Sequence, residues 1–274
     1  MRFFLFSLLI MLSACSRSKN SIKIKGSDTE VNLTVLMAES FHEVNTNNFI
    51  SICGGGSGLG IASLLNGTTD IANSSRRINA EELSLFNKNK MMLDSFIFAQ
   101  DAIAFVVSDQ IPVDKISLKQ LAAILSGELK NWSDICDHQA KINIYGRQSN
   151  SGTHEFVQDI LQIDFSEHAK QMNGNAQITE AIKADPSGIG YVGAGYVMGG
   201  SSKGIKVLSI FENDPSKAIS PFDAEAIKKG GYYFQRPLYQ YYIRENIHKI
   251  QPFFDFEKSL NGAKIIHNSG YYPI

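Results

Sequence analysis

Apolar and polar positions follow two rhythms along this chain. Ile22-Lys23-Ile24-Lys25 carries the two-residue period of a strand, and Phe49-Ile50-Ser51-Ile52-Cys53 reads as a second. Asp70-Ile71-Ala72-Asn73, Ile103-Ala104-Phe105-Val106-Val107 and Ile142-Asn143-Ile144-Tyr145 read as further strands. Between them the spacing predicts helices from about Glu30 to Val44, Leu59 to Leu65 and Thr153 to Leu161. Strands and helices alternating at this spacing imply an α/β class built on largely parallel sheets. The chain shows no internal repeat.

The first residues break that pattern. Phe3 to Leu12 is an apolar run interrupted only by Ser7. As a helix it spans about 15 Å, half of a bilayer's hydrocarbon core, which suits a secretory signal and not a membrane span. Leu12-Ser13-Ala14-Cys15 then looks like a bacterial lipobox, an aliphatic residue and two small ones before a Cys. That signal implies a cleaved segment 1–15, lipid on Cys15, and a protein exported and anchored to the cell-envelope membrane. Residues 16–21 are polar and read as a tether.

Composition narrows the class. With 274 residues, 43% hydrophobic and 19% charged, the chain can bury one large core or two smaller ones. Lys+Arg 26 against Asp+Glu 27 leaves a net charge of −1, which argues against nucleic acid as a partner while leaving room for a local anion site. Cys53 and Cys136 form no Cys-x-x-Cys pair and sit at no metal spacing, so they read as free, buried thiols, although pairing in an oxidising compartment stays open. The six His residues form no ligand cluster, and no metal or cofactor is expected. Trp132 and the Tyr232-Tyr233 pair read as packing residues.

Three strand-to-helix junctions share one chemistry: Gly26-Ser27-Asp28-Thr29-Glu30, Gly54-Gly55-Gly56-Ser57-Gly58, and Gly146-Arg147 through Ser151-Gly152-Thr153. At a helix start the first N–H groups lack partners and the dipole is positive, so an anion is favoured. Glycine lets the backbone come close, and a hydroxyl adds a donor. One such turn is explained by ordinary N-capping. Three of them, together with the planar guanidinium of Arg147, point to a tetrahedral oxyanion. The glycine run matches neither the P-loop nor G-x-G-x-x-G, and Leu59 stands where a nucleophile elbow around Ser57 needs Gly.

On these residues the chain resembles the phosphate-binding lipoproteins and periplasmic proteins that feed ABC-type phosphate importers. The likeness continues through Asp70-Ile71-Ala72-Asn73-Ser74-Ser75-Arg76, Asp101-Ala102-Ile103-Ala104, Asn131-Trp132-Ser133-Asp134, Ile189-Gly190-Tyr191-Val192 and Arg236-Pro237-Leu238-Tyr239. It implies a two-lobed, hinged periplasmic-binding-protein architecture, each lobe a mostly parallel central sheet flanked by helices. Lobe I would hold 22–100 and 232–274, and lobe II 101–231, with crossings near Gln100 and Gly231. The resemblance carries phosphate contacts onto Ser27, Thr29, Ser57, Arg147, Ser151, Gly152 and Thr153, with Gly58 and Ser75 beside them. It implies inorganic phosphate as ligand and the permease subunits of an ABC importer as partners, with no enzymatic activity.

One departure bears on specificity. Many family members carry Asp where this chain has Ser75, and that Asp accepts the proton of hydrogen phosphate. An acceptor for this proton separates phosphate from fully ionised sulfate. Asp101 is the first candidate and Asp28 the second, unless Asp28 caps the first helix. Arg76 and Arg77 add positive field to the cleft or pair on the surface. The alternatives are a binding protein for sulfate or molybdate, a sensor on the same fold, and a secreted serine hydrolase for which His154 is the nearest base.

Overall fold

A computed structural model describes residues 21–198 and 203–274, so the expected signal at 1–15, Cys15 and tether residues 16–20 lie outside the described residues. Ser21, expected to close the tether, already belongs to the first strand. Among the described residues no helix is long and apolar enough to cross a membrane.

The first half of the chain runs β1 (Ser21–Gly26), α1 (Val31–Val44), β2 (Phe49–Cys53), α2 (Ser57–Leu65), β3 (Ile71–Ser74) and α3 (Ala80–Lys88). A 16-residue strand, β4 (Leu93–Ser108), follows. Then come β5 (Lys115–Ser117), α4 (Leu118–Ser126), β6 (Asn143–Arg147), α5 (Gly152–Leu161), β7 (Lys170–Met172), α6 (Asn175–Ala184) and β8 (Gly188–Gly193). The chain ends with β9 (Ile205–Val207), β10 (Ser209–Phe211), α7 (Ala224–Lys228), β11 (Gln235–Ile243), α8 (Ile247–Glu257) and α9 (Leu260–Asn268).

One sheet runs β2-β1-β3-β11-β4-β8-β6-β7, with β9 also on β4, and β5 pairs separately with β10. The parallel pairs expected from the α/β rhythm form both flanks: β2-β1-β3 on one side and β8-β6-β7 on the other. Between them β11 runs antiparallel to β3 and β4, and β4 antiparallel to β8. The expected strand over 103–107 is the C-terminal part of β4, where every residue from Asp101 to Ser108 is buried. Such a run is apolar throughout because both its faces are covered.

Of three buried apolar clusters among the described residues, two divide along the central strands, at the seam. Ile22, Leu33, Met37, Phe41, Phe98, Ala99, Leu238, Phe253 and Phe254 pack together, with Phe41 edge-on to Phe253 at 5.4 Å between ring centroids. Ala102 to Val107, Ile124, Trp132, Tyr191, Tyr232 and Phe234 belong to the other. The division falls between Ala99 and Ala102 on β4 and between Phe234 and Leu238 on β11. Tyr232 and Phe234 thus pack with the second core, and the return expected near Gly231 shifts to about Gln235. Trp132 is fully buried and donates its indole N–H to the Ser187 carbonyl at 2.9 Å, a packing residue as expected. Cys53 and Cys136 are free, but Cys53 is exposed and Cys136 half-buried, which corrects the expectation of buried thiols. β2 is an edge strand, and its outer face carries Cys53.

Glu257, in the last turn of α8, is buried beneath the sheet. Its Oε1 accepts from Gln240 Nε2 at 3.0 Å, while Oε2 has no partner. Loss of water pushes its carboxyl up to about 8. The folded chain therefore keeps a proton that the unfolded chain releases, and stability falls as pH rises from the ordinary carboxylate range to about 8. Glu257→Gln removes that dependence. Its melting temperature should gain on the parent from about pH 5 to about pH 8 and level off above that, and parallel melting curves would contradict the assignment.

Candidate functional site

In a parallel set the carboxyl ends of the strands lie on one edge, and the loops there form the ligand crevice of α/β sheets. Here both flanks turn that edge to the seam. β1 ends at Gly26, β2 feeds the glycine run, β3 ends at Ser74 and β6 at Arg147. Gly26 has φ +138°, and a Cβ there would lie 2.1 Å from the Asn73 carbonyl oxygen, so only glycine lets β1 leave beside β3. The chain then enters a 3₁₀ turn, Asp28–Glu30, with Ser27 and Thr29 buried.

The second turn starts α2 at Ser57, which is fully buried. Ser57 Oγ accepts the Ser75 N–H at 3.1 Å and lies 3.5 Å from Ser75 Oγ. In the third turn Ser151 caps α5, its Oγ accepting the Thr153 N–H at 3.2 Å. Capping therefore accounts for one acceptor site of Ser151 and leaves its O–H proton to donate elsewhere.

The three turns meet across the seam. Thr29 Oγ1 and Thr153 Oγ1 are 3.1 Å apart. The Gly58 N–H donates to the Asn150 carbonyl at 3.2 Å, which commits Gly58 to holding the two sides together. A Cβ on Gly152 would sit 2.5 Å from Ser57 Oγ and 2.8 Å from Ser75 Oγ. The structure thus gathers Ser27, Thr29, Ser57, Ser75, Arg147, Ser151, Gly152 and Thr153 around one buried seam.

Charge is concentrated there. Arg147 is 1% exposed, and its Nη2 donates to the Asn173 carbonyl at 3.1 Å. Nη1 lies 3.6 Å from Asp28 Oδ2, and neither Nε nor Nη1 has a hydrogen-bond partner. Asp28 Oδ2 accepts the Asn175 N–H at 2.8 Å and its Nδ2 at 2.7 Å, at the start of α6. Asp28 therefore does not cap the first helix: its Oδ2 crosses the seam to a helix N-terminus and to Arg147.

Asp101 is fully buried on β4, in register with Arg236 of β11. Its Oδ2 accepts from Arg236 Nη2 at 2.9 Å and Nε at 3.1 Å, while Oδ1 has no partner. Burial raises this carboxyl to about 6 even against the pull of Arg236. Arg76 pairs with Glu82 on its own side, at 2.7 Å, and with Glu155 of α5 across the seam. Arg77 is exposed, and its Nε donates to the Tyr239 hydroxyl at 3.1 Å. His154 packs on Phe165, with Nδ1 3.5 Å from the Tyr191 hydroxyl. Burial lowers its pKa, and none of the turn serines is among its hydrogen-bond partners in the described residues. What converges is a dry set of hydroxyls, helix-start amides and guanidinium N–H groups, and buried donors of this kind call for an acceptor-rich guest.

Two residues escaped the reading of the sequence. Arg236 sits in the Arg-Pro-Leu-Tyr segment, 135 positions from its partner Asp101, and only the pairing of β4 with β11 joins them. Asn175 is fully buried and fixes Asp28 through two bonds, with no local pattern to announce it.

The family model described as the PBP superfamily domain matches residues 13–258. The phosphate-binding protein PstS of Borreliella burgdorferi is 29% identical over 286 aligned positions, covering 97% of each chain. The crystal structure of an ABC-type phosphate transport receptor from Vibrio cholerae superposes with a TM-score of 0.72 at 25% identity, covering 92% of this chain and 100% of that one. A substrate-binding protein from Clostridium perfringens, solved with bound phosphate and described as a putative phosphate ABC transporter component, reaches a TM-score of 0.83 at 23% identity, covering 93% and 100%. At that identity the last comparison speaks for the fold.

The close approach at Gly152 makes a direct expectation. Gly152→Val places a side chain against two short hydroxyls on the opposite lobe, and overpacking of this kind costs about 1–3 kcal/mol. The halves should part, and small-angle scattering should give the variant a larger radius of gyration than the parent in the same buffer. Superimposable curves would remove Gly152 from the closing contact.

Proposed function

This chain belongs to the PBP superfamily, and we propose that it captures inorganic phosphate in the seam between its lobes and delivers it to an ABC-type importer. The observation that carries this reading is the buried guanidinium of Arg147 at the end of β6, whose Nε and Nη1 have no hydrogen-bond partner. The names borne by the relatives from Borreliella burgdorferi and Vibrio cholerae support the same ligand.

In this reading Ser27, Thr29, Ser57, Ser75, Ser151 and Thr153 supply hydroxyls, the start of α5 at Gly152 supplies amides, and Arg147 supplies charge. Hydrogen bonds to a charged group contribute about 1.5–3 kcal/mol each. Four or five of them, net of desolvation and ordering, suffice for micromolar binding, about −8.2 kcal/mol. Asp101 accepts the hydrogen bond of the phosphate proton at Oδ1, the buried carboxylate oxygen left without a partner, while Asp28 Oδ2 is already engaged by Asn175. The bonds across the seam form on closure, which excludes water and presents both lobes to a permease. Lipid on Cys15 would anchor the exported protein to the envelope membrane, so that the short tether keeps it beside its importer.

The ligand class has a direct measurement. Calorimetry of the exported chain should give a micromolar or tighter phosphate complex with sulfate and molybdate weaker. Arg147→Ala should weaken phosphate about 10- to 150-fold, the loss of one charge-assisted contact. Sulfate bound as tightly as phosphate would move the assignment to the wider oxyanion class. Hydrolysis of a chromogenic phosphate ester that Ser151→Ala abolishes would move it to an enzyme.

A further inference from the structure

We infer that Arg236, carried on the strand that crosses between the lobes, is itself a ligand-binding residue: it orients the Thr29–Thr153 hydroxyl pair so that one proton is left for the bound anion, and it offers Nη1 as a further charged donor. The inference rests on the phosphate reading for its ligand but on separate atoms for its argument.

Arg236 is 1% exposed and stands opposite Asp101 where the two cores divide. Its Nη2 reaches three oxygens: Asp101 Oδ2 at 2.9 Å, Thr153 Oγ1 at 2.9 Å and Thr29 Oγ1 at 3.2 Å. One threonine comes from each lobe. A guanidinium only donates, so both hydroxyl oxygens must accept from it. The hydroxyls also lie 3.1 Å apart, and one donates to the other. That leaves a single hydroxyl proton uncommitted, with no further acceptor for either hydroxyl among the described residues. An anion in the seam receives it.

Nη1 belongs to the same rigid plane, is buried and has no partner. An orphaned guanidinium nitrogen in a dry site is costly unless something negative meets it. Asp101 neutralises only the opposite edge, Nε and Nη2. Arg236 and Ser75 also line a cavity of about 350 Å³, to which Glu155 and Phe156 contribute from the other side of the seam. Lysine would not reproduce the arrangement, because one ammonium cannot hold Asp101 and both threonines while presenting a second nitrogen.

Calorimetric titration of the parent, Arg236→Lys and Arg236→Gln with phosphate and with sulfate tests this, with melting curves alongside. Arg236→Lys keeps a cation opposite Asp101 and should fold; it should weaken the preferred oxyanion about 10-fold. Arg236→Gln should weaken it about 100-fold, so that lysine rescues part of what glutamine loses. If Arg236→Gln leaves Asp101 too poorly compensated to fold, Arg236→Lys alone decides. Affinity within about 2-fold of the parent in a folded Arg236→Lys overturns the inference and leaves the phosphate reading intact. A parent that binds neither anion overturns both.

Discussion

Everything around the seam follows from burying two guanidiniums where the lobes meet. A cation taken out of water costs several kcal/mol unless a counter-charge and hydrogen bonds replace its hydration. Asp101 meets Arg236 along a fixed strand register, so that pair is built into the sheet. Asp28 meets Arg147 only across the gap, from the turn after β1 to the side chain at the end of β6. One compensation is therefore fixed by strand register, while the other spans the two sides of the seam. Anything negative that bridges the unpaired N–H groups favours the arrangement in which the two sides meet, which would couple capture to closure on the proposed reading.

The sheet explains why such a site can exist. Parallel strands send their connections over the same edge, which gathers the Gly26, Gly54–Gly58 and Arg147–Thr153 turns without any of them being neighbours in sequence. Antiparallel β4 and β11 sit between the flanks and carry the chain from one core to the other. Asp101 and Arg236 stand on these two strands, where the two cores divide. Fully buried residues at that crossing sense both lobes at once, as the bonds of Arg236 to Thr29 and Thr153 display.

Local signals in the sequence were enough for the flanks and the turns. The alternation Ile22-Lys23-Ile24 marks β1 because only one face is covered, and the Gly-Ser-Gly run after β2 marks a helix start that must approach another backbone. The central strands were less legible. The N-terminal half of β4 mixes buried and exposed positions, so only its apolar second half stood out. Asp101, Arg236 and Asn175 do their work through partners more than a hundred residues away, Arg236 with Asp101 and Asn175 with Asp28. Charge pairing of that range has no periodicity to read. Asp28 was visible as a carboxylate at a helix start, but its target on α6 was not.

On the proposed phosphate reading, the serine at position 75, where the resemblance implies a carboxylate, would shift the burden of discrimination to the crossing strands. A serine hydroxyl rotates to donate or accept, so Ser75 serves a protonated and a fully ionised anion alike. Rejection of sulfate then needs a lone pair that cannot turn into a donor. Asp101 Oδ1 provides it only while Asp101 is ionised, and burial has already lifted that carboxyl to about 6. A sulfate dianion beside it would raise it further and let the protonated acid donate to the wrong guest. Arg236 opposes this by holding Oδ2 with two N–H groups, which favours the ionised form. If Arg236 also binds the anion as proposed, the same guanidinium keeps the neighbouring oxygen an acceptor, and affinity and selectivity would share one buried ion pair.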